Sequence, residues 1–120
     1  MDDNPQVADH VELRQIDGRL VCRARVAASF AARLRGLMGV AALPAGTGLL
    51  LPRTSSVHTH FMRFPIDVVF LDDGLQVRSI RPALRPWRLA AARGASSVLE
   101  LPAGECARLG LVVGDVLVER

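Results

Sequence analysis

The chain has 120 residues, a mass of 12.9 kDa and a formal net charge of +3 at pH 7. This length fits one domain, and a hydrophobic content of 50% argues against disorder over the whole chain. The basic charge is spread along the chain and aromatic residues make up only 4%. The composition therefore does not favour a nucleic-acid-binding protein, which clusters basic charge on one face and often adds aromatic side chains for stacking.

The first ten residues are polar and acidic, and we predict a disordered tail over residues 1–10 followed by a single domain over residues 11–120. The tail lacks the basic start and apolar centre of a secretion signal. No apolar run reaches the roughly 18 residues that a membrane-spanning helix needs. We therefore expect a cytoplasmic protein without a membrane span.

Short strands separated by turn residues account for most of the predicted domain. Apolar and polar residues alternate over residues 19–26, which predicts a half-buried strand paired with residues 12–16 through the Asp17-Gly18 turn. Further strands are predicted at residues 48–51, 56–62, 67–71, 75–81, 97–101 and 116–119. The predicted structural turn positions are Pro65, Gly74, Gly104, Gly114 and Asp115.

One helix is predicted around residues 30–41. Ser29 provides an N-cap, and an apolar stripe at helical spacing begins at Phe30 and Leu34. Because helices do not alternate with the strands, a parallel sheet is not expected. The sequence predicts a mainly β (α+β) domain, an antiparallel β-sandwich or small barrel with this one helix packed on it.

The segment His58-Thr59-His60 falls within a predicted strand, where residues two apart project from the same face. Two histidines presented in this way are typical of metal sites in cupin barrels. Two ligands leave a divalent site incomplete, so a carboxylate such as Asp67 would have to complete it. The alternative is that one histidine is hydrogen-bonded near the surface and the other is incidental. We expect no cofactor, with a divalent metal as the alternative.

Arg63 and Asp67 flank the turn that Pro65 imposes. One interpretation is a buried Arg63–Asp67 ion pair that holds the loop. The other is that Arg63 binds an anionic ligand while Asp67 orients its guanidinium.

Two further features bear on a site. Trp87 and Arg88 lie in a proline-containing loop, where the indole is either a ligand platform or a hydrophobic plug. Glu100 stands between two leucines on a predicted strand. A lone acid there is expected to face solvent, and if it faces inward it needs a partner, for which arginine is the plentiful choice.

Several segments of this chain occur in an order that resembles the DUF192 (UPF0127) family. These segments are Gly36-Leu37-Met38, Gly48 to Leu51, the run from His58 to Asp72, Val98 to Gly104, and Gly114-Asp115. The resemblance implies a compact, mostly β domain of unknown function, and it brings no established catalytic residues.

Three functions are consistent with these features. The first is a non-catalytic domain that binds a small anionic molecule or a peptide in a pocket near the run HTHFMRFPID. Its candidate ligand-binding residues are His58, His60, Arg63, Asp67, Trp87 and Arg88. The second is a cupin-like metal-dependent enzyme that uses His58 and His60. The third is a structural or protein-interaction domain without a ligand site.

Overall fold

The computed structural model describes residues 10–120. It is mainly β, as predicted, with nine strands and two short helices in this part of the chain. The elements are β1 (His10–Gln15), β2 (Leu20–Val26), α1 (Phe30–Arg35), β3 (Thr47–Pro52), β4 (Ser56–His58), β5 (Ile66–Leu71), β6 (Val77–Leu84), β7 (Leu89–Ala91), β8 (Ser97–Pro102), α2 (Glu105–Leu109) and β9 (Leu117–Glu119).

Seven strands form one curled mixed sheet in the order β6-β5-β8-β3-β2-β1-β9. Every pair of neighbours in it is antiparallel except β2 and β3, which are parallel. A parallel pair needs a long crossover connection, and residues 27–46, which include α1, provide it. Strands β4 and β7 form a separate antiparallel pair.

Apolar side chains cover both faces of the large sheet. One buried cluster includes Leu99 and Leu101 of β8. The other includes Val98 of the same strand and Val57 of β4. All six residues of β5 are buried because both faces of this inner strand are covered.

Helix α1 is shorter than predicted. Ser29 does cap it, accepting a hydrogen bond from the backbone N–H of Ala32 at 3.0 Å. The helix ends at Gly36, whose φ of 53° and ψ of −123° form a backbone conformation that glycine adopts readily and other residues rarely do. The expected burial of its apolar stripe is wrong in part, since Phe30 and Leu34 remain 73% and 58% exposed.

Other elements also differ from the prediction. The strand predicted over residues 56–62 ends at His58, and Phe61 has a φ of 65°, outside the extended range of regular strands. Strand β7 and helix α2 were not predicted. Strand β1 begins at His10, the last residue of the predicted tail, while residues 1–9 of that tail lie outside the described residues.

The predicted turns lie between or beside the elements. Gly104 and Gly114 have φ values of 92° and 100°. The Asp115 side chain accepts a hydrogen bond from the Val112 N–H at 3.0 Å. The Gly74 N–H donates to the Asp72 carboxylate at 3.0 Å, and Pro65 immediately precedes β5.

Candidate functional site

An open cavity of about 740 Å³ lies between α1, the β4–β7 pair and one face of the large sheet. Its walls are largely apolar, with Phe30 and Leu34 from α1, Val57 from β4 and Leu89 from β7. The exposed faces of α1 and β7 are therefore the rim of this cavity. Leu89 is 73% exposed, as is Phe30, so the apolar wall continues out to the surface.

Glu100 contributes the acidic group of the cavity wall. It lies in β8 near the middle of the sheet, opposite Leu49 of β3 and Val68 of β5. Only 2% of the residue is exposed, and its Oε1 atom has no hydrogen-bond partner. Burial raises the pKa of Glu100 to about 8, so the carboxyl is mostly protonated at neutral pH. The expectation that Glu100 faces solvent is wrong, because strand alternation places it on the same buried face as Val98.

Gly36 lies directly beside this carboxyl. A Cβ atom built on Gly36 would lie 3.7 Å from Oε1 of Glu100. The glycine that ends α1 therefore allows the helix terminus to approach the acid without a side chain covering it.

Three arginines reach the same cavity from different elements: Arg33 of α1, Arg53 after β3 and Arg81 of β6. Arg33 and Arg53 each donate a hydrogen bond to the carbonyl oxygen of Ala28, at 2.8 and 3.0 Å. None of the three forms an ion pair with a carboxylate of residues 10–120. Among the described residues, these three positive charges therefore have no paired carboxylate.

His58 is the one predicted ligand residue that lines the cavity. Its Nε2 lies 3.2 Å from the Leu34 carbonyl oxygen, and its Nδ1 accepts from the His60 N–H at 3.1 Å. This arrangement requires the tautomer with a proton on Nε2. Both ring nitrogens of His58 therefore form hydrogen bonds with backbone groups, and the bond to Leu34 connects β4 to α1.

His60 lies outside the cavity lining. Its ring packs edge-on against His58, with ring centroids 5.0 Å apart, and against Trp87 at 5.1 Å. The two imidazoles are thus neighbours, but His60 lies after β4 and not on a shared strand face as predicted. Within residues 10–120, no group of three histidine, cysteine, aspartate or glutamate side chains is placed to hold a metal ion.

The predicted ion pair between Arg63 and Asp67 is not formed. Asp67 is 1% exposed, and its Oδ1 accepts from the N–H groups of Ala83 and Gly104 at 2.9 and 3.1 Å. Its Oδ2 accepts from the Cys106 N–H at 2.9 Å. The carboxylate thus fixes the start of α2 and a bend in β6, while Arg63 is exposed. The Asp67 carboxylate is therefore bound by backbone N–H groups and not by the predicted arginine.

Trp87 and Arg88 lie in a loop that Thr59 holds in place. The buried Thr59 hydroxyl donates to the Arg85 carbonyl at 2.6 Å and accepts from the Arg88 N–H at 2.8 Å. Trp87 is 54% exposed and contacts Phe61 at 4.6 Å between ring centroids, so it is not a buried plug. The Arg88 guanidinium lies near carbonyls of its own loop.

Arg33, Arg53 and Arg81 were not predicted as site residues from the sequence. Glu100 was expected to face solvent, and its place in the cavity wall was not predicted. The only available signal was an acid within the apolar strand Val98-Leu99-Glu100-Leu101. The arginines come from three separate elements and carry no local signal.

No helix within residues 10–120 has the length and apolarity to cross a membrane.

Comparison with known proteins shows which family the chain belongs to. Residues 12–118 match the DUF192 family, described as an uncharacterised ACR. The chain belongs to the DUF192 family. The resemblance seen in the ordered motifs is therefore confirmed, and the family has no characterised function.

Individual DUF192 relatives support this assignment. A UPF0127 protein of Thermococcus sibiricus is 35% identical over 98 residues, covering 78% of this chain and 63% of that protein. A UPF0127 protein of Pyrococcus furiosus is 41% identical over 64 residues, covering 52% of this chain and 54% of that protein. The chain thus spans less than two thirds of the length of these curated relatives.

Two crystal structures have the same fold as this DUF192 chain. One is a Sinorhizobium meliloti protein described as a candidate transcription regulator, with a TM-score of 0.81 and 25% identity, covering 92% of both chains. The other is a Novosphingobium aromaticivorans protein of unknown function, with a TM-score of 0.79 and 26% identity, covering 91% of this chain and 83% of that chain.

Proposed function

We propose that this protein is a non-catalytic binding domain whose cavity holds a small amphipathic anion, such as an aliphatic carboxylate. The observation that carries the proposal is the set of three arginines around an apolar cavity, none of them paired with a carboxylate among residues 10–120. Arg33, Arg53 and Arg81 line the cavity from three different parts of the fold, rather than lying along one helix or strand.

The charge balance of the cavity favours an anion. Guanidinium groups present planar donors that match carboxylate and phosphate oxygens. Among residues 10–120, Glu100 is the only acidic residue in the cavity wall, and burial keeps it mostly protonated at neutral pH. The guanidinium charges are therefore not neutralised from within the cavity.

Size and polarity favour an amphipathic ligand. A volume of about 740 Å³ lies within the range of roughly 300–1,000 Å³ typical of small-molecule sites. Phe30, Leu34 and Leu89 provide an apolar wall beside the arginines. A ligand with an anionic head and an aliphatic body would cover this wall, and its burial would contribute about 25 cal/mol per Å².

The test compares two probes of equal length and opposite charge. NMR titration of the isotope-labelled protein with hexanoate should shift amide signals of α1, β4 and β7, whereas hexylammonium should shift none of them. A ligand of this size is expected to bind with a Kd on the order of 1 mM, which NMR titration can measure. Equal binding of the two probes, or binding of neither, would contradict the proposal.

Matched variants localise the binding. Arg81→Ala should weaken hexanoate binding several-fold, because Arg81 lines the cavity. Arg78→Ala removes an exposed arginine from the same strand that does not line the cavity, and it should leave the Kd unchanged.

A further inference from the structure

We propose that Glu100 is the inner recognition group of the cavity and that the ligand carries a neutral amide at the end opposite its anionic group. This inference rests on the proposed function and names the second half of the ligand. The amide would donate to and accept from the Glu100 carboxyl, while the anionic group would lie among the arginines of the rim.

The starting observation is a buried polar atom without a partner. Oε1 of Glu100 is inaccessible to solvent and has no hydrogen bond, although the residue lines a cavity large enough for a ligand. Leaving a buried polar group unpaired costs free energy, so nearly all such groups in proteins are paired. The Glu100 carboxyl therefore lacks a hydrogen-bond partner that a ligand in the cavity would provide.

The protonation state decides which partner fits. Burial is the cause of the raised pKa of about 8, and no positive side chain offsets it. A protonated carboxyl has one O–H donor and one carbonyl acceptor. A primary amide has the complementary N–H donor and carbonyl acceptor, so the two groups can form a paired set of hydrogen bonds.

The charged and titratable groups around the cavity argue against a cationic partner. They are Arg33 from α1, Arg53 from the segment after β3, His58 from β4 and Arg81 from β6. Apart from Glu100, the other described lining residues are uncharged. A cationic ligand would enter a cavity lined by three arginines, whereas a neutral amide would not be repelled.

Gly36 provides the second geometric observation. It has a backbone conformation that residues with a Cβ rarely adopt. A Cβ atom on it would lie 3.7 Å from Oε1 of Glu100, in van der Waals contact. The end of α1 therefore packs beside the carboxyl with backbone atoms alone.

The experiment keeps the carboxylate constant and varies the other end of a six-carbon chain. The probes are hexanoate, 6-aminohexanoate and adipamate, which end in a methyl, an ammonium and a primary amide. At pH 6.5 we expect adipamate to bind about fivefold more tightly than hexanoate, the effect of about one net hydrogen bond. Glu100→Gln should keep this preference because glutamine is also a neutral donor and acceptor, and Glu100→Leu should remove it.

The pH dependence gives a second readout that a structural role would not produce. If only the protonated acid accepts the amide, the fraction of competent protein falls above the pKa. The Kd of adipamate should then rise about 30-fold between pH 6.5 and pH 9.5 in the unmodified protein. In Glu100→Gln, which does not titrate there, the Kd should stay constant.

The possible outcomes separate the two proposals. If 6-aminohexanoate binds most tightly, or if adipamate and hexanoate bind equally at pH 6.5, the amide inference is overturned while the anion site stands. If none of the three carboxylates binds, or if Arg81→Ala has no effect on any of them, the proposed function fails and the inference fails with it. Glu100→Gln also serves as the folded control if Glu100→Leu does not fold.

Discussion

Two buried acids on adjacent strands of one sheet have opposite surroundings. Asp67 of β5 and Glu100 of β8 are 1% and 2% exposed, and their strands pair directly. Asp67 accepts hydrogen bonds from three backbone N–H groups. Glu100, on the other face of the sheet, has an Oε1 atom with no partner.

The difference between the two acids shows that burial alone does not reveal what a carboxyl does. The hydrogen bonds of Asp67 connect β6 and the start of α2 to β5, so a structural role accounts for this carboxylate. The carboxyl of Glu100 adds no such bond and lies beside an open cavity. Its burial therefore costs stability rather than adding to it.

The largest expected effect comes from removing Asp67. Asp67→Ala would leave the N–H groups of Ala83, Gly104 and the buried Cys106 without their acceptor, and each lost hydrogen bond to a charged group costs about 1.5–3 kcal/mol. We expect the free energy of unfolding to fall by about 3–5 kcal/mol, measured by urea denaturation followed by circular dichroism. A loss under about 1 kcal/mol would show that water replaces the carboxylate and that the contrast with Glu100 is weaker than the structure indicates.

Replacing the Glu100 carboxyl should raise the free energy of unfolding at pH 7, whereas removing Asp67 should lower it. Its pKa is about 8 in the folded protein against an ordinary 4.5, so the folded state holds a proton that the unfolded state releases. The free energy of unfolding should therefore fall as pH rises from about 4.5 to about 8 and level off above that. Glu100→Gln removes this titration and should be more stable than the unmodified protein by roughly 3 kcal/mol at pH 7.

The same variant at low pH is the control for that prediction. At pH 4.5 the folded form is protonated and the unfolded form is half protonated at this position, so the two proteins should differ by less than about 0.5 kcal/mol in free energy of unfolding. A stability difference that is equal at pH 4.5 and pH 7 would contradict the assignment of Glu100 as a buried, titrating acid.

A smaller effect is expected at Thr59, a buried polar residue whose role resembles that of Asp67. Thr59→Val keeps the shape of the side chain but removes its bonds to Arg85 and Arg88. We expect a loss of about 1–2 kcal/mol in the free energy of unfolding. Thr59→Ser retains the hydroxyl and is the matched control, and equal stability of the two variants would show that the bonds contribute little.

The smallest effect is expected at Arg63, the residue that the sequence analysis paired with Asp67. Arg63 is exposed and forms no ion pair within residues 10–120, so Arg63→Ala should change the free energy of unfolding by less than about 0.5 kcal/mol. If Arg63→Ala and Asp67→Ala were equally destabilising, the two side chains would have to interact in solution.

The sequence predicted the strands of this domain better than the roles of its polar residues. Alternation predicted β2, and short apolar runs between turn residues predicted β3, β5 and β8. The order of the motifs also identified the family. These signals are local, since each depends on a few consecutive residues.

The orientation of the acids depends on distant contacts and was not predictable. In β5 and β8 both faces are covered, so the residues on either side of Asp67 and Glu100 are apolar and give no signal of direction. The partners of Asp67 lie 16 to 39 residues later in the chain. The cavity itself requires α1 and β7 to be placed against the sheet, and β7 was not predicted.

The loop that Thr59 holds has a consequence for spectroscopy. Trp87 is the only tryptophan of a chain without tyrosine, and it lies half-exposed against Phe61 and His60 rather than in either buried cluster. Nearly all intrinsic fluorescence of this protein therefore originates from one surface loop. Its emission therefore reports the local state of that loop and not the packing of the large sheet.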